Sequence, residues 1–438
     1  MPPERYLLIY CLIFLLIFPG FGPAGVADAC PATLFNTELS PSLSGPRVNV
    51  KLFAWSDGEG QGGSSNQTGW HLVPFQVDPI DDDGFLMFFK DGSYVRDPIG
   101  KNDVVIFNVD QFGKKVDLRK HPLPCKSSST FQLYDLIGKK YAYLVSCEGP
   151  QESEFFLNQV SFNARENYLE SDTYRYKFND TNYMLFKEIS YRNEAGELSP
   201  VAWDSDMLIK ADVKRFFTMR FDSKDIISRL EESRLGPVAN LARVSFFLRI
   251  LFFKIRMSLN TDVGFFRESG HIPMMINIPV NSSEYLNPKS GILYSWQQAP
   301  QAVYQSTAEE MPAIDTKLIG EGFKKLGEGG LKYCRGNECR FKYRVDINGR
   351  VLSMDLGIRK ELVARGFYPM FVSDVAKFQK EMGWSDKYET AKNRTGLYFE
   401  VSGLEKGGHP WDFWMRLGGT YNKFARCPAM VFISKPKI

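Results

Sequence analysis

The chain has 438 residues with 54 Lys and Arg against 51 Asp and Glu, a net charge of +3, so it carries no overall electrostatic footprint for nucleic acid. Its 44% hydrophobic and 24% charged content is that of a globular chain with substantial cores, which excludes a mostly disordered or collagen-like protein.

At the start, Glu4 and Arg5 precede an uncharged run from Leu7 to Phe18, and Ala27 and Ala29 supply the small residues of a cleavage site. A membrane-spanning helix needs about 20 apolar residues, and this run is shorter. Residues 1–29 therefore read as a secretory signal peptide cleaved before Cys30. The product is expected in the periplasm or at the cell surface, soluble after cleavage. Acylation of Cys30 as a lipoprotein is the competing reading, which the acidic Asp28 and the absence of Leu at position 27 fit poorly.

Short aromatic and β-branched runs separated by Gly, Asn, Asp and Pro predict strands at 48–55, 104–109, 140–146, 173–178, 183–190, 208–217, 340–345 and 396–401. Helices are expected in three places. Asp222 to Asp225 offers a cap before Ile226, Ile227 and Leu230 at helical spacing, closed by Gly236-Pro237. Ser373 precedes a second helix over 374–382, and 360–364 adds a turn. The expected fold is mainly β, with sandwich or barrel-like antiparallel sheets and a smaller mixed α/β C-terminal part. Residues 30–300 form a β-rich domain, divisible into two sub-domains, and 313–438 a mixed C-terminal domain, with 297–312 as linker.

The most distinctive passage runs from Pro74-Phe75-Gln76-Val77-Asp78 through Asp81, Asp82, Asp83 and Gly84, then from Asp103-Val104-Val105-Ile106-Phe107 to Asp110 and Gly113. It resembles a set of exported bacterial proteins of unassigned activity that share a "PFQVDE…DG…DELVF…D.G" pattern near the mature N-terminus. Weaker likeness extends to Tyr141–Val145 and to Gly236-Pro237-Val238. Pro79 stands where an acid is usual, and Val104-Val105 where Glu-Leu is usual. The resemblance implies no activity.

Asp78, Asp81 and Asp83 are the candidate metal ligands, because Ca2+ takes six to eight oxygens from carboxylates and carbonyls on a turn, and Ca2+ is the one cofactor the sequence suggests. The EF-hand ladder is incomplete: position 12 is Phe89 counted from Asp78 and Gly92 counted from Asp81. A solvated acidic turn whose Asp81 and Asp83 cap their own backbone is one alternative, and catalytic carboxylates are the other.

Of the seven cysteines, Cys11 leaves with the signal. The favoured pairs are Cys334 with Cys339 across a hairpin, Cys125 with Cys147 around a strand pair, and Cys30 with Cys427. The scattered histidines and the cysteine spacing give no zinc or haem motif. The segment 244–259 is apolar with Arg249, Lys254 and Arg256, and reads either as a buried hairpin or as a membrane-surface contact. Trp411 and Trp414, near Asp412, read either as core or as a sugar-stacking platform. No nucleophile elbow, phosphate loop or zinc-protease motif occurs, so no residue takes a catalytic role. The leading reading is an exported binding or structural protein of the bacterial envelope. Its rivals are a secreted carbohydrate-active enzyme using Asp and Glu residues, and a peripheral envelope-complex subunit. A glycan or an envelope protein is the partner considered.

Overall fold

The computed structural model describes residues 32–39, 42–43, 45–57, 68–80, 86–87, 99–135, 140–149, 156, 158–193, 195–215, 217–250, 253–278, 281–299, 302–304, 324–326, 330–335, 338–347, 350–365, 367, 369–384, 394–420 and 431–436. The signal segment, Cys30 and Cys427 lie outside them. Four sheets dominate the described residues, and their ladders run antiparallel, as the sequence predicts. In the C-terminal third, the helices among these residues are Lys360–Ala364 and Val375–Met382.

Two compact units form. The larger holds Ser161–Ser233 and Leu241–Lys423, and the smaller Pro23–Val160, Arg234–Asn240 and Phe424–Ile438. This replaces the boundary expected at 300–313. Strand Arg394–Glu400 pairs with Gly291–Gln298, and Gly407–Thr420 pairs with Ser269–Ile278, so strands from both sides of the expected linker share sheets.

In the smaller unit, Val104–Phe107 lies between Ala32–Phe35 and Phe75–Asp78. All four of its residues are buried, as expected of an apolar strand covered on both faces. A five-stranded sheet runs in the order Val431–Ser434, Ser127–Asp135, Lys140–Cys147, Val50–Asp57, Thr68–Leu72. Phe131 and Leu133 alternate inward on Ser127–Asp135 and join Leu34, Val77, Phe107, Leu52 and Leu144 in one core. Each such side chain contributes roughly 1.5–3 kcal/mol by leaving water.

The larger unit packs a nine-stranded sheet against a ten-stranded one. Its interior is aromatic: Tyr176 lies 5.1 Å from Phe265, Tyr294 6.4 Å from Phe413, and Phe399 4.6 Å from Trp411. At one end the hydroxyls of Ser171 and Thr173 both donate to the Arg267 carbonyl, at 2.7 and 2.6 Å. The Tyr174 hydroxyl donates to the Phe266 carbonyl at 2.9 Å. Tyr174 is fully buried, so Tyr174→Phe should lower stability by about 1 to 2 kcal/mol through the lost bond. Faster hydrogen exchange around 265–268 would report it; unchanged exchange would show that the neighbouring hydroxyls hold the turn alone.

The helix expected after Asp222 is a strand, Ile226–Leu235. From Ser228 onward its residues alternate between more and less buried, a period of two. Asp222 to Asp225 is a tight turn that carries the chain from strand Phe217–Asp222 of the nine-stranded sheet to Ile226–Leu235 of the ten-stranded one: Asp225 N donates to Asp222 O at 2.9 Å, and Lys224 N to Asp222 Oδ1 at 2.7 Å. The same polar residues that cap a helix also close this turn. The 374–382 helix is present as Val375–Met382. Asp374, rather than Ser373, caps it by accepting from Lys377 N, and Gly383 ends it in the left-handed region at φ 63°.

Candidate functional site

Two of the patterned acids, Asp78 and Asp103, are buried inside the smaller unit. Gln76 and Asp78, two apart on one strand, share a face. The Asp78 side chain is fully buried, with Oδ1 2.6 Å from Arg234 Nη2, and Gln76 Nε2 donates to Oδ2 at 2.7 Å. Gln76 Oε1 in turn accepts from the backbone N–H groups of Val238 and Ala239, at 3.2 and 2.9 Å. One amide side chain thus ties the buried carboxylate to the turn at 236–239. A Cβ on Gly236 would lie 2.3 Å from Gln76 Oε1, so a side chain there would push the amide out of these bonds.

A second buried pair stands in the same unit. Arg47 Nη2 lies 2.5 Å from Asp103 Oδ2, which also accepts from Gly100 N at 2.8 Å. The Asp103 carbonyl accepts from Asn36 N at 2.8 Å, and the Asn36 side chain bonds Leu43 and Gly100. Burial holds the Asp78 carboxyl above the ordinary carboxylate range. Arg234, Gln76 and Arg47 pull it down less than burial raises it, and Asp103 adds to the rise. The Asp78 carboxyl is thus closed off from solvent in this arrangement.

Gly113, at the end of the pattern, exchanges backbone bonds with Tyr141 at 2.9 and 2.8 Å. A Cβ there would lie 2.0 Å from the Trp55 carbonyl. Among the described residues of the pattern, Gln76, Asp78, Asp103 and Gly113 therefore serve buried bonds and a close approach. Arg47 and Arg234, which complete the arrangement, were not singled out by the sequence reading. The weak likeness at Gly236-Pro237-Val238 was the signal for Arg234, since that turn is part of the same cluster.

With Asp78 committed to Arg234, the Ca2+ reading rests on Asp81 and Asp83, which lie outside the described residues. Among the described residues no three His, Cys, Asp or Glu side chains gather to hold a metal. Cys125 and Cys147 form a disulfide with Cα atoms 5.7 Å apart. Cys339 is disulfide-bonded and stands opposite Cys334 in the ladder. The segment 244–259 falls on two strands, Ala239–Ile250 and Phe253–Phe266, and Val244 and Phe246 are buried. Trp411 and Trp414 are buried too, Trp414 stacked 4.0 Å from His271, so they are core and present no sugar platform.

The disulfide fastens a loop, 114–126, over the outer face of the five-stranded sheet. Val116, Leu118 and Leu123 turn inward onto Phe53, Tyr143 and Val145. Trp70 Nε1 donates to the Pro122 carbonyl at 2.8 Å, and the Asp117 carbonyl accepts from Lys120 N and His121 N. His121 lies 4.2 Å from Trp55, which meets Trp70 edge-on at 5.4 Å.

In the larger unit, strand Leu198–Val213 carries a bulge between Trp203 and Asp206, with Asp204 at φ 47°. Its surroundings hold the strain in place. Ser205 Oγ accepts from Phe186 N at 2.7 Å, Arg394 Nη2 donates to the Asp204 carbonyl at 2.6 Å, and Trp203 Nε1 donates to Gln297 Oε1 at 2.6 Å. The exposed Asp204 and half-buried Asp206 are thereby fixed near buried Arg394, whose guanidinium burial pushes downward.

No family model and no curated protein matches the chain. Among solved structures, an alpha-mannosidase from Enterococcus faecalis V583 superposes with a TM-score of 0.36 and 10% identity, over 100% of this chain and 49% of that one. A protein in the glycosyl hydrolase family 38 from Enterococcus faecalis gives a TM-score of 0.40 and 8% identity, over 96% and 48%. The chain spans about half the length of these two proteins.

Proposed function

We propose that the protein is an exported binding or structural component of the bacterial envelope. The observation that carries this reading is the burial of Gln76, Asp78 and Asp103 in bonds to neighbouring backbone and to Arg234 and Arg47. The passage that looks most like a site in the sequence builds a scaffold, and function falls to surfaces the scaffold presents. The signal-like residues 1–29 and the disulfide suit an oxidising compartment outside the cytoplasm.

A second reading, a secreted carbohydrate-active enzyme, draws support from the bulge that presents Asp204 and Asp206 beside Arg394 and Trp203, since paired carboxylates serve glycoside chemistry. One experiment addresses both. The full-length gene is expressed in a Gram-negative host, the cells are fractionated, and the recovered protein is tested for release of reducing sugar from a panel of polysaccharides. The expected result is a chain beginning at Cys30 in the periplasmic or surface fraction, with no sugar release. A full-length chain in the cytoplasm would contradict export, and turnover abolished by Asp204→Asn would establish the second reading.

A further inference from the structure

Building on the reading of an exported binding protein, we propose that the disulfide-fastened loop 114–126 is a docking surface for an acidic polysaccharide. Within these residues Lys114, Lys115, Arg119, Lys120 and Lys126 face a single acid, Asp117, and all five bases are exposed. On a chain whose total charge is only +3, this is a concentrated positive patch.

The patch is preorganised. Arg119 N donates to Asp117 Oδ1 at 3.1 Å, and Lys120 N and His121 N both reach the Asp117 carbonyl at 3.0 Å, which sets the turn presenting Arg119, Lys120 and His121. The Cys125–Cys147 bond and the Trp70–Pro122 bond fix the rest. A loop already held in place loses little freedom when a polyanion lands on it. Lys114 and Lys126 have surface partners, Asp57 and Glu148, but Lys114 is 61% and Lys126 84% exposed. Exposed pairs of that kind are worth about 0–1 kcal/mol, and a polymer carrying many anions competes with them.

Aromatic groups decide among polyanions. Trp55, Trp70 and His121 are half-buried at the base of the loop, and Lys115 lies over the Tyr141 ring at 5.6 Å. Rings beside cations suit pyranose faces bearing carboxylate or sulfate groups. A lipid surface fits less well, because the loop's apolar side chains Val116, Leu118 and Leu123 point into the protein and leave nothing to insert.

The test uses the mature chain with three immobilised probes: polygalacturonate, dextran sulfate and neutral dextran. Phosphatidylglycerol vesicles and a single-stranded oligonucleotide complete the set. The expected result is binding to the two acidic polymers and not to dextran, falling roughly tenfold over a threefold rise in salt. Arg119→Ser/Lys120→Ser should weaken it by about tenfold or more at unchanged melting temperature, while Lys377→Ser, an exposed base of the larger unit, leaves it unchanged. Equal affinity in the double variant, no binding by the parent chain, or tighter capture by vesicles or oligonucleotide overturns the inference. Loss of binding with export intact sinks only this inference, whereas a cytoplasmic chain sinks the reading on which it rests.

Discussion

Replacing Arg234 by Met is expected to destabilise the smaller unit by roughly 3–5 kcal/mol, the range for leaving a buried charge without its partner. Asp78 is fully buried and Arg234 nearly so, and the carboxylate would keep only Gln76 as a neighbour from that cluster's hydrogen bonds. The two-unit chain has no reason to unfold in one step, so hydrogen exchange of the strands at 75–78 and 104–107 is the proper readout. The same residue sets a pH dependence. Burial raises the Asp78 carboxyl above its unfolded value, so the folded chain holds that proton more tightly. The stabilising contribution of protonation is complete below the unfolded value and is lost as pH rises through the folded one. Relative to Asp78→Asn, the parent protein should therefore gain stability as pH falls from neutrality toward 4; an unchanged difference would mean that Asp78 is not buried in the folded state.

Removing the disulfide with Cys125→Ser/Cys147→Ser should cost about 3 kcal/mol, the chain-entropy value for a loop closed by residues 22 apart. The effect should be local. Val116, Leu118 and Leu123 rest on Phe53 and Tyr143 as a small cluster beside the main core, so the loop opens while the strands beneath persist. Fluorescence of Trp55 and Trp70, together with exchange across 114–126, would register loosening. Parent-like exchange there would show that the Trp70–Pro122 bond and apolar packing suffice.

Strands were legible in the sequence because alternation is local: Tyr174, Tyr176 and Phe178 point one way and Arg175 and Lys177 the other. Cys125 and Cys147 were legible because Cys147 ends one of two neighbouring segments that pair and Cys125 lies just before the other. The segment after Asp222 was not, since Ile226, Ile227 and Leu230 fit a helix stripe as well as a strand, and its pairing with Ala239–Ile250 decided the outcome. Asp78 was misleading for a similar reason. Next to Asp81, Asp82 and Asp83 it looks like part of a hydrated turn, yet its strand register points it inward toward an arginine far along the chain. The bulge at Trp203 to Asp206 left no trace in composition, because it depends on Arg394 and Phe186 from two other strands.

The claim that the patterned acids are scaffold rather than reaction centre meets its most direct test in a double-mutant cycle of Asp78→Asn and Arg234→Met, followed by hydrogen exchange of the smaller unit. The geometry predicts a coupling of about 1–3 kcal/mol, with the double variant less damaged than the two single losses added together. Additive losses would contradict a buried Asp78–Arg234 pair, and with it the scaffold reading of the pattern.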